Sequence, residues 1–381
     1  MEQTKRLTIE LLRCALTGES PEKALPESEL KAVYLCAARF DVAQCVGYAL
    51  QIASRLPEGS LGDSFQNKQT EAVWRTEQQE YMRERIGDIL EQGGIEHIFL
   101  KGAALRRLYP KPWLRTGVDL DVLVRKEEQE KAIMLLCQRL GCSPGQRTAY
   151  DVKLRFRSGQ CAELHVRLSG NASAESELSN VWEDSLPAAG KRFERMLSPE
   201  LFYVYHIAHM AKHFEEGGCG IRPLMDLWVM EQAMPRNEAV THELLRRAGL
   251  SVFAGTAERL KDCWFSGGAG DLLTQRMSDF IFSGGAFGSV EKRVAVDRVK
   301  TGGKFKNLIA RAVLPYETMV GIYPPLETHR WRLPYYEVCR WCRLLFCGRA
   351  KSVLAELRNN QTITEEEIRT TEVLLKDLEL L

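Results

Sequence analysis

The chain has 381 residues, more than one compact core accommodates, so two or three lobes are expected. With 45% hydrophobic and 27% charged residues it reads as an ordinary soluble globular protein, and a net charge of +1 excludes a global field for nucleic acid or an acidic membrane. The eleven cysteines are odd in number and follow no disulfide framework, which predicts free thiols in a reducing cytoplasm.

The opening "MEQTKRLTIELLRCAL" carries charges inside its apolar stretch and no cleavage pattern, so it does not read as a secretory leader. No segment reaches the roughly 20 uninterrupted apolar residues of a membrane span. Residues 1–92 are expected to be helical: "ELKAVYLCAARFDVAQCVGYAL" is rich in helix formers. In "TEQQEYMRERIGDILEQGG", Met82, Ile86, Ile89 and Leu90 share one face and Gly93-Gly94 supplies the stop.

Residues 93–170 change character. "IEHIFL" predicts a strand, "AALRRLY" a short helix, and "DLDVLV" a second strand. A helix follows in "EEQEKAIMLLCQRLG", where Ile133, Leu136, Cys137 and Leu140 repeat at helical spacing. "DVKLRF" and "CAELHVRL" alternate with period two around Ser158-Gly159, the pattern of a hairpin. Residues 171–381 form the third region, with helical patterns from about 190 onwards and a capping box, Thr364 with Glu367, near the end. The fold class expected is α+β: a small mixed β-sheet core flanked by N-terminal and C-terminal helical regions.

The chemistry concentrates in "FLKGAALRRLYPKPWLRTGVDLDVLV". Strand side chains i and i+2 share a face, so Asp119 and Asp121 project together while Leu120, Val122 and Val124 face the core. In the later strand Ala162, Leu164, Val166 and Leu168 form the apolar face, and Glu163 and His165 share the other. If the two strands are neighbours, three carboxylates converge, and a proton or a cation must sit among them. Mg²⁺ suits such oxygen ligands, and two ions would clamp an in-line phosphoryl displacement. Gly102, at a strand-to-helix turn, is expected to let backbone N–H groups approach an anion, with Lys101 adding a point charge for a phosphate.

The run "IEHIFLKGAALRRLYPKPWLRTGVDLDVLV", followed by "AELHVRL", resembles the uncharacterised nucleotidyltransferase family of the DNA polymerase β-like superfamily. That family reads strand, Lys-Gly, a short helix ending near Leu-Tyr-Pro, an Arg, a D-x-D strand and then a Glu-x-His strand. The likeness continues through "LSPELFYVYHIAHMAKHFEEGGCGIRPLMDLWV" and "LPYYEVCRWCRLLF". It implies a core that binds Mg²⁺ and a nucleoside triphosphate through the D-x-D pair and a third acidic residue, which carry over onto Asp119, Asp121 and Glu163. The wider superfamily usually has Gly-Ser or Gly-Gly at the turn, whereas this chain has Lys101-Gly102-Ala103, which leaves phosphate contact to backbone amides and Lys101. The reaction implied is attack by an acceptor on the α-phosphorus, with loss of pyrophosphate. The acceptor is open among small molecule, peptide and protein; nucleic acid is not indicated.

Other stretches have two readings each. His206, His209 and His213 fall at helical spacing, and 209/213 matches an i, i+4 zinc pair, but no H-E-x-x-H is present and a polar helix face lining the cleft is preferred. Arg222 and Asp226, at i, i+4, predict an intrahelical ion pair; the family resemblance offers instead that His209, His213, Arg222 and Asp226 border the substrate cleft. Lys153, on the polar face of "DVKLRF", reaches the triphosphate if that strand flanks the carboxylates, and otherwise lies on a solvated edge strand. His165 is expected to orient its neighbours at the nucleotide site. "KTGGKFK", with Lys304, lacks the full P-loop pattern and reads as a loop; "RWCRLLFCGRAK" reads as a helix packed on its own domain with arginines outward; Cys339 and Cys342 read as ordinary semi-buried thiols. Two rival functions follow: a catalytically silent nucleotide-binding regulatory module, and a metal-dependent hydrolase built on the histidines.

Overall fold

The computed structural model describes residues 2–148, 150–168, 172–286, 288–301, 314, 316–346 and 363–381. Four helices come first: α1 (Glu2–Thr17), α2 (Glu27–Arg39), α3 (Ala43–Ile52) and the long α4 (Gly59–Gln92). The face expected on α4 is the buried one, since Met82, Ile86, Ile89 and Leu90 all pack under the sheet. The helix stops where expected too. Gly94 takes a left-handed φ of +65°, and Gly93, Gly94 and Ile95 donate back to the carbonyls of Ile89, Glu91 and Leu90.

Then come β1 (His97–Phe99), α5 (Lys101–Leu105), β2 (Asp119–Val124), α6 (Gln129–Leu140), β3 (Ser143–Arg147), β4 (Asp151–Arg155) and β5 (Cys161–His165). Past them lie α7 (Ala172–Glu177), α8 (Val181–Asp184), β6 (Leu186–Pro187) and β7 (Glu194–Met196). One seven-stranded mixed sheet holds all these strands in the order β3-β4-β5-β2-β1-β7-β6. The hairpin at Ser158-Gly159 is present, with Gly159 at φ +85° and β4 antiparallel to β5. β5 then runs parallel to β2, and β2 antiparallel to β1.

The remaining helices are α9 (Pro199–Glu215), α10 (Arg222–Ala233), α11 (Glu238–Arg247), α12 (Ser251–Phe265), α13 (Leu272–Ser283), α14 (Val290–Thr301), α15 (Tyr316–Ile322), α16 (Leu333–Phe346) and α17 (Glu365–Asp377). The capping box on α17 forms as expected, with the Thr364 and Glu367 side chains each accepting from the other's backbone N–H. α16 spans "LPYYEVCRWCRLLF", and Arg340 on it donates to Glu337 at 2.8 Å. Lys304 and Arg349 lie outside the described residues. No helix among the described residues is long and apolar enough to cross a membrane.

Two cores place the sheet. On one face Leu120, Val122 and Val124 pack with α4, α6 and the apolar side of β4 and β5. On the other, Ile98, Leu123 and Leu100 join a larger core shared by α1–α3 and α9–α13. The helices before and after the sheet therefore pack against each other, and the face bearing Asp119 and Asp121 looks towards α9.

Candidate active site

Strand register builds the site. Asp121 pairs with Glu163 across β2 and β5, and Glu163 pairs with Lys153 across β5 and β4, so the three stand in one row on one face. Asp119 is two residues along on that face, and His165 two residues beyond Glu163. The convergence expected of the carboxylates occurs because β2 and β5 are direct neighbours. β4 lies between β3 and β5, so Lys153 is on a flanking strand and not at the sheet edge.

Two ammonium groups compensate the carboxylates. Lys101 Nζ donates to Asp121 Oδ1 at 2.6 Å, and Lys153 Nζ lies 3.0 Å from Asp119 Oδ1 and 3.4 Å from Glu163 Oε1. His165 Nε2 meets Asp121 Oδ1 at 2.8 Å and Glu163 Oε2 at 3.6 Å. Burial alone would raise the Asp121 carboxyl, but Lys101 and His165 outweigh it and hold its pKa well below the usual carboxylate range. Glu163 goes the other way: burial, then Asp121 and Asp119, push its carboxyl up against the opposing pull of Lys101 and His165. Asp121 is thus the firmly ionised member of the cluster. Asp121, Glu163 and His165 also bring three ligand atoms within 4.8 Å of one another, a group that does not take in Asp119.

At the turn Lys101 takes the left-handed conformation, at φ +47°, and Gly102 is the second residue of the five-residue α5. A Cβ on Gly102 would meet only Arg115 Nη1 at 3.8 Å and Arg106 Nη2 at 3.9 Å, so no backbone constraint demands glycine there. Gly102 does line the same cavity as the carboxylates, a space of about 380 Å³ between the sheet face and α9–α10. Asp119, Asp121, Glu163, His165, Lys101, His209 and Arg222 line it as well.

α9 closes the opposite wall. Ser198 caps its start, accepting from Leu201 N–H, and Tyr205, His209 and His213 follow at i, i+4 steps into the cavity. The three histidines do not converge as metal ligands. His206 Nε2 contacts the Pro223 carbonyl at 3.0 Å, whereas the His209 and His213 Nε2 atoms face each other at 2.9 Å. That short contact requires one N–H and one lone pair, so the rings hold at least one neutral member. Burial, then Lys101, lowers both rings, His213 to about 4. Among the described residues the three-donor metal group lies on the carboxylates, not on these histidines.

A pH dependence follows. His213 has a folded pKa below its ordinary 6.5, so the unfolded chain binds the extra proton first and stability rises with pH between about 4 and 6.5. Its side chain is 34% exposed, so the loss from pH 7 to pH 5 is discounted to about 1 kcal/mol. Melting temperatures at the two pH values check this: the difference should shrink in His209→Gln/His213→Gln. An unchanged difference assigns the pH dependence to other groups.

Arg115, Arg222 and Asp226 line one side of the cavity and belong to a network whose pairings sequence patterns do not reveal. Asp226, fully buried, receives Arg115 Nε at 2.7 Å and Nη2 at 2.9 Å, and the Tyr109 hydroxyl at 2.6 Å. Arg222 Nη1 reaches Asp41 Oδ2 at 3.2 Å and the Thr116 carbonyl at 3.0 Å. The bonds formed by Arg222 and Asp226 thus tie α10 to the loop before β2 and to the α2–α3 turn. The sequence singled out Arg222 and Asp226 by their spacing and as cleft-bordering residues, and both line the cavity, but it did not give their partners Arg115, Tyr109 and Asp41.

A family described as "Uncharacterised nucleotidyltransferase" matches residues 26–266, well over half the chain. The solution structure of the antibiotic-resistance factor ANT(2'')-Ia aligns at 14% identity over 50% of this chain and 93% of that one, with a TM-score of 0.27. No curated protein matches. On the family match, which spans the carboxylate strands, the turn at Lys101 and the cavity wall of α9 and α10, the chain belongs to the uncharacterised nucleotidyltransferases.

Proposed function

We propose that this chain transfers a nucleotidyl group from a nucleoside triphosphate to an acceptor, with Mg²⁺ as its cofactor. The observation that carries the reading is the row Asp121–Glu163–Lys153, with Asp119 on the same face, opening into a cavity of about 380 Å³. The carboxylates fit a hard divalent cation: Asp121 and Glu163 offer oxygen ligands within 4.8 Å of each other, with Asp119 on the same face and His165 in contact with Asp121. Asp121 and Glu163 would hold the ion, and Asp119 would contribute to a second. Bound there, Mg²⁺ supplies charge stabilisation at the phosphoryl oxygens.

The chain's own residues do the rest. Lys101 and the backbone at Gly102 meet the β,γ-phosphates, and Lys153 offsets charge at Asp119 and Glu163. His165 orients Asp121 through its 2.8 Å contact. Tyr205, His209 and Arg222 line the side of the cavity left for the acceptor. The histidine-metal hydrolase lacks the convergent ligands it needs among the described residues.

The deciding experiment incubates purified protein with each of the four triphosphates and Mg²⁺, reading pyrophosphate release and product masses. Binding has its own expected result. A triphosphate at about 100 times its Kd should stabilise the fold by about 2.7 kcal/mol when Mg²⁺ is present, and Asp119→Asn/Asp121→Asn should lose that gain. Equal stabilisation in EDTA would show a metal-free anion site. A retained thermal shift with no pyrophosphate would assign the silent binding module instead.

A further inference from the structure

Lys101 combines three features. Its backbone is left-handed, a conformation a long side chain rarely adopts, and such outliers concentrate where function constrains the chain. The residue before it is anchored, because Leu100 N–H donates to the Asp121 carbonyl at 3.0 Å. Its own ammonium then turns back onto the carboxylate of that same Asp121, at the oxygen that His165 also contacts. Backbone and side chain of one aspartate are thus both engaged by adjacent residues of one turn.

We propose that Lys101 is a tethered cation that competes with a divalent ion for Asp121, and that a polyphosphate draws it away. This rests on the reading of Asp121 as a metal ligand. Two cations on one poorly solvated carboxylate repel each other strongly, so metal binding is weakened while the ammonium stays on Oδ1. Lys101 and its neighbour Gly102 line the cavity, so phosphate oxygens entering it offer the ammonium a second anionic partner. Metal and polyphosphate therefore bind with positive coupling, and by linkage the effect is reciprocal.

The test needs no turnover. Mn²⁺ alone is titrated into wild type, Lys101→Met and Lys101→Arg by calorimetry. Lys101→Met should bind Mn²⁺ about 10-fold more tightly than wild type, within the usual range of coupling effects, and Lys101→Arg should stay close to wild type. Equal or weaker binding by Lys101→Met, or no Mn²⁺ binding to either protein, overturns the proposal. If Lys101→Met does not fold, wild type decides. Acetic anhydride labelling of Lys101, measured by mass spectrometry against the exposed Lys23, should rise several-fold on adding saturating Mn²⁺. Labelling that is unchanged or falls overturns the proposal. Failure of the nucleotidyltransferase reading looks different: Mn²⁺ affinity rises in Lys101→Met, yet no triphosphate shifts the melting temperature or releases pyrophosphate.

Discussion

Glu163→Gln is expected to lose about 100-fold or more in turnover, roughly 3 kcal/mol of barrier, with nucleotide affinity changed far less. The substitution keeps the shape of the side chain and its place in register between Asp121 and Lys153. It removes one negative charge from the cluster, and that charge matters most as pyrophosphate leaves. Lys153 loses one of its two carboxylate partners but keeps Asp119 at 3.0 Å, so the fold should hold. His165→Ala should cost less, because an imidazole is a poor ligand for Mg²⁺ and acts here through Asp121. Single-turnover kinetics with the triphosphate that releases pyrophosphate measures both. A wild-type rate for Glu163→Gln would move the third carboxylate's role elsewhere.

Arg115→Ala should destabilise the fold by about 3–5 kcal/mol, the cost of leaving a buried charge without its partner. Asp226 has no exposed surface, and Arg115 contacts both its carboxylate oxygens, leaving Tyr109 as its direct donor among the described residues once the guanidinium is gone. Burial favours protonation of Asp226, but Arg115 and His206 hold its carboxyl below the usual range. Its folded pKa is depressed, so the pair's contribution is present above about pH 4 and is lost as pH falls through the folded value. Urea denaturation at pH 7 measures the loss. Arg115→Met/Asp226→Asn removes both charges and leaves an acceptor for Tyr109, so it should recover much of the stability. If the double variant is no better than Arg115→Ala, the cost comes from lost packing and not from the stranded carboxylate.

Replacing Asp119 and Asp121 by asparagine relieves the repulsion between close carboxylates, but the two lysines add an opposing effect. Asp121→Asn would strand the Lys101 ammonium, which burial opposes and Asp121 sustains. Relief of repulsion and loss of this ion pair therefore act in opposite directions at the same residue.

Local patterns were legible wherever one element carried the whole signal. The apolar face of α4, the Gly93-Gly94 stop, the alternation of β2, β4 and β5 and the Thr364 capping box follow from side-chain periodicity and turn chemistry, which act over a few residues. The shared face of Asp119 and Asp121 belongs to that class. β6 and β7, of two and three residues, left no periodic signal; they exist because the edge of β1 offers backbone partners to β7, and β7 in turn to β6.

What the amino-acid sequence determined by itself is the α+β character, the polar face of β2, β4 and β5 and the membership of Asp119, Asp121, Glu163 and His165 in that face. Only the tertiary structure decided that β2 and β5 are parallel neighbours with Asp121 opposite Glu163, that Lys101 and Lys153 point at the carboxylates, and that α9 faces them across a cavity. It also decided that Arg115, 111 residues away in sequence, reaches Asp226. The physical reason is range. Periodicity is set by backbone geometry within one element, whereas register, ion-pair choice and the closing of a cleft depend on which distant elements bury their apolar faces together.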